Sequence, residues 1–439
     1  MSCVSLLLGL SLETHLIPVP MLTFPMPELQ RHTVPPADLA TVRLVTEAKL
    51  PLVLRGPVAM FSHPWLQPGA SYRNVLWDWD ALFCGIALAA RGTGAQHLAG
   101  SALNLLAHQA SDGSVPYNVN LGKPSPILGR PRPSDSAYNS CKPILAQMLV
   151  LAARNSGDWA QAVTAYPALV RHAEHWNQTQ YVERFGLYTW RSHRGNGTDN
   201  HPALYGRPFD SSAGPDLNTY FVREFQALAI LAGKLGLASE QARWRQAAED
   251  LTVAINRHLW DPVDGCCYHG DVQSRAISET NQPVTWVVPL KYKAWTAVMP
   301  LWAQLLPTAN AVRFIGEHLL NPAEFWAPHG IYSLARNEAH FNVAASENPS
   351  NWQGPVWIIA NYLSFRALLN YGFRAEAAEL ARKTVSLLAE DIRRTGTLHE
   401  CYEPETGAPI MKPDFINWNL LGETMALELE CGQDFTALE

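Results

Sequence analysis

Two stretches of the sequence place a carboxylic acid among polar, aromatic and glycine residues, a setting that suits hydrolytic chemistry. Asp199 lies in the stretch His193–Pro202, and Glu400 lies in the stretch Thr397–Gly407. Hydrolysis of a glycosidic bond needs one carboxylic acid to protonate the leaving oxygen and a second carboxyl group to activate water or attack the sugar. Asp199 and Glu400 are therefore a candidate catalytic pair.

Each of these acids also has a structural interpretation. Asp199 stands before an Asn and a Pro, an arrangement that is common in an Asx turn. Glu400 falls inside an apolar and aromatic run, so it could be a buried structural acid. The two Glu that flank the following proline instead suit a solvated turn. The residue types alone leave both interpretations open.

The composition disfavours several classes of binding partner. A chain of 439 residues with 47% hydrophobic residues can bury a large core. The formal net charge of −6 disfavours a nucleic-acid partner, and no stretch approaches the ~20 apolar residues of a membrane span. The 15 Trp and 14 Tyr offer flat faces for sugars, although composition alone favours the interpretation that they fill a helical core. We expect a small-molecule carbohydrate as the partner and leave open whether the protein is a homo-oligomer.

The cysteines and the N-terminal stretch indicate the cellular compartment in which the protein is expected. The seven Cys are scattered, with no CxxC and no His at ligand spacing, which argues against a disulfide framework or a zinc site. The stretch Cys3–Leu12 is apolar but has no preceding Lys or Arg, so the charged start of a signal peptide is missing. We expect a cytoplasmic protein without metal or cofactor, and a disordered extension over residues 1–30. Secretion is the less favoured alternative.

Helical periodicity dominates from residue 37 to the end. The pattern predicts helices at 37–49, 79–91, 95–110, 138–154, 158–178, 217–235, 239–258, 292–306, 309–319, 353–370, 373–390 and 417–430. Twelve such helices predict an all-α toroid of six helix pairs, an (α/α)6 barrel, as a single catalytic domain over residues 31–439. Several connections are long, at about 111–137, 183–215, 261–291 and 320–352. Because long loops usually carry function, we expect them to gather at one mouth of the barrel.

Five segments resemble glycoside hydrolase family 63, and the related trehalases of family 37 share part of the pattern. The segments are Trp77–Asp80, Gly197–Pro202, Asp216–Asn218, Trp352–Trp357 and Glu400–Gly407. They occur in the family's order and span about residues 72 to 420. The small size, without an added β-sandwich domain, is similar to the bacterial glucosylglycerate and mannosylglycerate hydrolases of the family. The resemblance implies an inverting α-glycosidase acting on a small α-glucoside or α-mannoside.

The resemblance also implies roles for single residues. Asp199 matches the family's general acid and Glu400 its general base, and inversion implies carboxyl groups roughly 6.5–9.5 Å apart. The positions that match substrate-binding residues are Trp77, Trp79, Asp80, Gln109, Asp112, Gly197, Trp352, Gln353, Trp357 and Tyr402. Trp352 and Trp357 are expected to line the sugar pocket rather than the barrel core.

Two departures from the family pattern affect the expected substrate. Ala203 and Gln353 stand where the family usually or often has Arg, and losing a guanidinium should change which hydroxyl or carboxylate is recognised. Glucosylglycerate and mannosylglycerate are the first candidate substrates, and a trehalase or α-glucosidase is the nearest alternative. Arg207 and Arg223 are candidate ligands for an acidic aglycone. A catalytically silent sugar-binding barrel and an epimerase-type isomerase that uses His pairs are more distant alternatives.

Overall fold

The structure is a computed structural model that describes residues 33–122, 139–274, 285–346 and 349–439. All of these residues fall within one compact unit, His32–Glu439. The expected extension over residues 1–30 lies outside the described ranges and stays a prediction. Among the helices in these ranges, none is both long enough and apolar enough to cross a membrane.

Helices make up most of the described chain. They are α1 (Pro36–Lys49), α2 (Asp78–Ala90), α3 (Ala95–Leu106), α4 (Leu145–Ser156), α5 (Ala160–Thr179), α6 (His193–Asn196), α7 (Pro215–Lys234), α8 (Ala238–His258), α9 (Met299–Trp302), α10 (Thr308–Phe314), α11 (Ile358–Asn370), α12 (Arg374–Thr395) and α13 (Leu421–Cys431). A 3-10 turn precedes α9 and another precedes α13, and a short π-helix follows α10.

The strands are short and lie in the connections between helices. They are β1 (Leu54–Arg55), β2 (Trp65–Leu66), β3 (Val75–Trp77), β4 (Asn118–Asn120), β5 (Tyr181–Val182), β6 (Leu187–Tyr188), β7 (Ser212–Ala213), β8 (Trp260–Asp261), β9 (Cys266–Cys267), β10 (His269–Asp271), β11 (Val288–Leu290), β12 (Trp326–Ala327) and β13 (Gly330–Ile331). They form antiparallel pairs β1–β2, β3–β4, β5–β6, β8–β9 and β12–β13, and one three-stranded sheet in the order β11–β10–β7. The strands therefore stiffen loops rather than form a layer of their own.

Six helices form a closed inner ring. In sequence, α2 contacts α4, α4 contacts α7, α7 contacts α9, α9 contacts α11 and α11 contacts α13, and α13 returns to contact α2. The inner helices are buried almost all round: every residue of α11 from Ile358 to Leu368 is buried. A helix that is mostly apolar on all sides lies in a core, and the buried polar side chains of α11 are Asn361, Ser364 and Arg366.

The outer helices bury a single stripe each. In α8, for example, the buried residues are Trp244, Ala248, Leu251, Ala254 and Ile255, which recur at helical spacing on one face. This face packs on α7, while α3 packs on α2 and α4, and α12 packs on α11. The ring of inner helices with helices packed outside it, seen over the described residues, confirms the (α/α)6 barrel predicted from the helix pattern, and α6 is a short additional turn in a connection.

Several predicted helix boundaries differ from the structure because of prolines. The helix predicted from residue 138 begins at Leu145, after Pro143, and the helix predicted from 353 begins at Ile358, after Pro355. A proline restricts the residue before it to extended backbone, so a helix begins after it more readily than through it. The segment predicted at 292–306 becomes a 3-10 turn followed by the short α9.

The N-terminal ends of the inner helices carry side chains to one mouth of the barrel. Trp77 is the N-cap of α2 and Trp357 is the N-cap of α11. Lys142 lies just before α4, and Trp418 lies in the turn that leads into α13. Residues that are distant in sequence meet at this end because α2, α4, α11 and α13 begin there.

Candidate active site

A cavity of about 680 Å3 lies at this mouth. Its volume falls within the range of small-molecule sites. It is lined by Tyr72, Trp77, Trp79, Asp80, Tyr117, Lys142, His193, Arg194, Gly197, Asp199, Tyr205, Pro349, Ser350, Trp352, Trp357, Glu400, Lys412 and Trp418. The structure thus brings both candidate catalytic acids to one cavity. It also places there six of the residues expected to bind substrate: Trp77, Trp79, Asp80, Gly197, Trp352 and Trp357.

Glu400 enters the cavity from a loop held by backbone pairing. Its N–H donates to the carbonyl of Met411 at 3.0 Å, so the residue is fixed although it lies outside any helix. The side chain is only 4% exposed, and its Oε1 accepts a hydrogen bond of 2.7 Å from the hydroxyl of Tyr72. Burial and the nearby Glu400 carboxylate raise the pKa of Tyr72 far above its ordinary value, so this phenol stays protonated and remains a donor. The arrangement suits a carboxylate that accepts a proton from water.

Asp199 is held on a tight loop after α6. Gly197 has φ of +89°, and a Cβ atom there would lie 2.7 Å from the ring of Trp79. Only glycine allows this close approach without strain. Asn196 Oδ1 accepts a hydrogen bond of 2.6 Å from the N–H of Thr198, and its Nδ2 donates to Asp216 at 2.7 Å. The backbone that leads to Asp199 is therefore fixed from both sides.

Asp80 lies in the first turn of α2 and is nearly buried. Burial raises its pKa well above the usual range, the carboxylate of Asp78 adds to this effect, and the ammonium of Lys142 opposes it. Asn417 donates a hydrogen bond to its Oδ1. The carboxyl group thus sits among fixed polar partners at the cavity wall, where it can contact a sugar hydroxyl.

Lys142 is a buried cation that the sequence did not single out. Its Nζ lies 3.1 Å from Oδ1 of the fully buried Asp78 and 5.0 Å from the centre of the Trp79 ring. The backbone N–H of Lys142 donates to the other Asp78 oxygen at 2.9 Å. A buried ammonium needs such a partner. No local sequence signal marks Lys142, because Asp78 is distant in the chain.

The aromatic wall of the cavity is continuous with the core. Trp352 and Trp357 stack with ring centres 3.7 Å apart at 7°, and Trp352 also packs against Trp79 and Trp295. Trp352 is 2% exposed and Trp357 is fully buried, and both belong to the main apolar cluster. Trp352 and Trp357 were expected to line the pocket rather than the core. The structure corrects this expectation, because the two rings line the cavity and also belong to the core.

Replacing Trp352 by Ala should consequently reduce stability as well as substrate binding. Removing a buried Trp typically costs about 3–5 kcal/mol of unfolding free energy, and the lost cavity wall should raise KM. Urea unfolding and steady-state kinetics measure the two effects. Trp244→Ala is the matched control, since Trp244 is equally buried but does not line the cavity. A stable Trp352→Ala protein with unchanged KM would contradict both roles.

Gln109 and Asp112 lie outside the cavity lining. The amide of Gln109 donates to the carbonyls of Gly113 at 3.1 Å and Ala168 at 2.9 Å, so its donors are used inside the protein. Asp112 accepts hydrogen bonds from the N–H and hydroxyl of Ser114 in a local turn. The structure gives both residues a role in shaping their loop and places neither side chain in the cavity lining.

Gln353 and Tyr402 are also absent from the lining, although both flank it. Gln353 donates to the carbonyl of Asn200 at 2.8 Å and so joins its loop to the loop of Asp199. Tyr402 is fully buried, and its hydroxyl donates to Asp391 at 3.1 Å. The amide of Gln353 and the hydroxyl of Tyr402 thus form hydrogen bonds within the protein. Each bond fixes a loop next to one of the candidate catalytic acids.

Arg207 and Arg223, the candidate ligands for an acidic aglycone, do not reach the cavity. Arg207 forms an ion pair with Asp271. Arg223 is buried in α7, where its guanidinium lies 4.3 Å from the ring of Trp302. Both guanidinium groups have structural partners elsewhere, which corrects the sequence expectation.

Three other cations line the cavity instead: Lys142, Arg194 and Lys412. Arg194 is exposed and directly follows His193, whose ring packs edge-on against Tyr205 at 5.0 Å between centres. Lys412 has φ of +43°, an uncommon backbone conformation for a residue with a side chain. No group of three or more His, Cys, Asp or Glu within the described ranges is arranged to hold a metal ion.

The barrel of helix pairs carries carboxylic acids and tryptophans at one mouth, an arrangement that suits the binding of a carbohydrate. Residues 72–418 match the family described as mannosylglycerate hydrolase MGH1-like glycoside hydrolase domain. The chain therefore belongs to this family of glycoside hydrolases.

Individual relatives are distant. A probable mannosyl-oligosaccharide glucosidase of Schizosaccharomyces pombe is 24% identical over 283 residues, covering 58% of this chain and 33% of that protein. The chain thus matches about a third of the length of that relative. The crystal structure of the family 63 mannosylglycerate hydrolase from Thermus thermophilus, in complex with Tris and D-glycerate, has a TM-score of 0.65 and 19% identity over 88% of this chain and 99% of that one. The neutral trehalase of Saccharomyces cerevisiae has a TM-score of 0.58 and 14% identity, covering 88% of this chain and 80% of that one. At these sequence identities, the likeness to the two structures shows the fold alone.

Proposed function

We propose that the protein is an inverting α-glycosidase that hydrolyses a small α-glucoside or α-mannoside. Asp199 acts as the general acid and Glu400 as the general base that activates water. The observation that best supports this proposal is that the two acids line the same cavity on separately anchored loops. Asp199 is held by Ser350, and Glu400 is held by Tyr72.

The roles of the two acids are assigned from their positions in the motifs that resemble family 63. Tyr72 donates to Glu400 and so favours its charged carboxylate, which suits a base. The two hydrogen bonds from Ser350 to Asp199 suit the carboxylate that remains after proton donation. Asp199, His193, Arg194 and Tyr205 all line the cavity, and Arg194 and Tyr205 are exposed, so we assign this part of the lining to the leaving group. Asp80, Trp79, Trp352 and Trp357 are buried lining residues, which we assign to the sugar ring.

Glucosylglycerate and mannosylglycerate are the first candidate substrates. The related Thermus thermophilus protein was crystallised with D-glycerate, and the cavity of this chain contains Arg194 as an exposed cation near Asp199. The positions that the family usually or often fills with Arg do not contribute here, because Ala203 is fully buried and Gln353 is paired to another loop. A carboxylate on the aglycone would therefore have to be bound by different residues of this cavity.

A trehalase or α-glucosidase activity is the alternative that uses the same two acids. It is favoured by the structural likeness to the neutral trehalase and by the phenols and indoles in the cavity, which suit a neutral sugar. A catalytically silent binding barrel is less favoured. Such a protein does not need two acids anchored by separate hydrogen bonds at one cavity.

Proton NMR of the reaction with a panel of α-glucosides and α-mannosides tests the proposal. The panel should contain glucosylglycerate, mannosylglycerate, trehalose and maltose, and at least one should be hydrolysed. If Glu400 activates water on the face opposite Asp199, the first sugar released should be the β-anomer, because a single displacement inverts the anomeric carbon. Spectra in the first minutes, before mutarotation, decide the outcome. Initial release of the α-anomer would remove Glu400 from the role of base.

A further inference from the structure

Ser350 lies between the proposed acid and the aromatic wall. Its side chain is nearly buried, with 8% exposure, and it lines the cavity. Its backbone N–H donates to Asp199 Oδ2 at 3.0 Å, and its hydroxyl donates to the same oxygen at 2.8 Å. Trp352 Nε1–H in turn donates to the Ser350 hydroxyl at 3.1 Å. One carboxyl oxygen of Asp199 thus receives two hydrogen bonds from a single residue.

The directions of these hydrogen bonds follow from the donors. A backbone N–H and an indole N–H can only donate, so Oδ2 must accept from Ser350 and the Ser350 oxygen must accept from Trp352. The hydroxyl hydrogen is then directed to Oδ2. Among the residues that the structure describes, none forms a hydrogen bond to Oδ1. When Asp199 is protonated, its proton therefore resides on Oδ1.

We infer that Ser350 is a positioning residue that directs the acidic proton of Asp199 to Oδ1 and stabilises the carboxylate left after proton transfer. The inference rests on the proposed role of Asp199 as general acid. In the reaction, the glycosidic C–O bond breaks with its electron pair on the leaving oxygen, and the Oδ1 proton passes to that oxygen. Water attacks the anomeric carbon and loses its proton to Glu400. The negative charge that forms on Asp199 meets two donors that are already in place.

The effect of Ser350 should depend on the leaving group. A sugar or glycerate alkoxide departs only with protonation, whereas fluoride departs with little help from an acid. We therefore expect Ser350→Ala to lower kcat roughly tenfold on the natural type of substrate, since one donor is lost and the backbone N–H remains. Hydrolysis of α-D-glucosyl fluoride or α-D-mannosyl fluoride, whichever sugar the enzyme accepts, should change less than twofold.

Two variants separate positioning from loss of structure. Ser350→Thr keeps a hydroxyl and should restore most of the kcat that Ser350→Ala loses. Ser346→Ala removes a different hydrogen bond of the same loop, from Ser346 to the carbonyl of Pro349, and should leave the ratio of the two activities unchanged. Thermal unfolding of all three variants checks that the fold is intact.

An equal loss on glycoside and fluoride, or no loss on either, would overturn the inference. The Asp199→Asn variant distinguishes failure of this inference from failure of the proposed function. If Asp199→Asn abolishes glycoside hydrolysis while Ser350→Ala shows no leaving-group dependence, only the role of Ser350 is wrong. If Asp199→Asn hydrolyses the glycoside at a normal rate, the role of Asp199 is wrong and that of Ser350 falls with it.

Discussion

Asp199→Asn is expected to yield a folded protein that has lost nearly all turnover of glycosides. The amide has the same shape as the carboxylic acid, and its carbonyl oxygen can still accept both hydrogen bonds from Ser350. It cannot release a proton to the leaving oxygen, and proton donation by a positioned acid typically contributes ~10²–10⁴-fold to the rate. The loss should fall on kcat, because substrate contacts made by the cavity wall are unchanged.

The matching measurement compares glycosides with glycosyl fluorides. Since fluoride departs with little protonation, Asp199→Asn should retain most of its activity on the fluoride. Asp112→Asn is the control, because Asp112 lies in another connection, outside the cavity lining, and forms a local turn with Ser114. Its kinetics should match those of the unmodified protein. A near-normal kcat of Asp199→Asn on glycosides would exclude Asp199 as the acid.

Glu400→Gln should abolish turnover of glycosides and fluorides alike. A glutamine can still accept the hydrogen bond from Tyr72, so the loop should keep its structure. It cannot take a proton from water, and every inverting hydrolysis needs that step whatever the leaving group. We expect a loss of ~10²–10⁴-fold in kcat for both kinds of substrate.

The contrast between the two variants is the sharpest test of the assigned roles. Asp199→Asn should be rescued by a better leaving group and Glu400→Gln should not. Glu405→Gln provides the control for the second variant, because Glu405 lies on the same loop, is exposed and does not line the cavity. If Glu400→Gln hydrolysed fluoride at a normal rate, another group would have to activate the water.

The helices of the inner ring could be predicted because their hydrophobic pattern is contained in short stretches of the sequence. Segments such as Ile358–Leu368 are mostly apolar around the helix, with only Asn361, Ser364 and Arg366 as polar residues, and this property is visible in the sequence before any contact is known. The same holds for the loops of Asp199 and Glu400, in which glycine, proline and aromatic residues surround an acid. Patterns within about ten residues therefore predicted the barrel and brought attention to the two acids.

Partners that come from distant parts of the chain could not be predicted. Lys142 looks like any lysine before a helix until the fold places it 3.1 Å from Asp78. Arg223 looked like a candidate anion ligand until the fold placed it against Trp302. Whether a charged side chain faces a cavity or a buried partner depends on long-range packing, which a single sequence does not record. Ser350 was missed for the same reason, since its contact with Asp199 crosses 151 positions of the chain.

The contact between Gly197 and the Trp79 ring has a consequence for how the cavity keeps its dimensions. Trp79 is anchored in the first turn of α2, next to Asp80, and the backbone that leads to Asp199 rests directly on its indole. The indole of Trp79 thus limits how closely the loop that leads to Asp199 can approach α2. Because Trp79 is itself buried in a buried helix, this limit stays the same when other parts of the cavity change. Exposed lining residues such as Arg194 and Tyr205 can therefore be substituted without altering the position of Asp199.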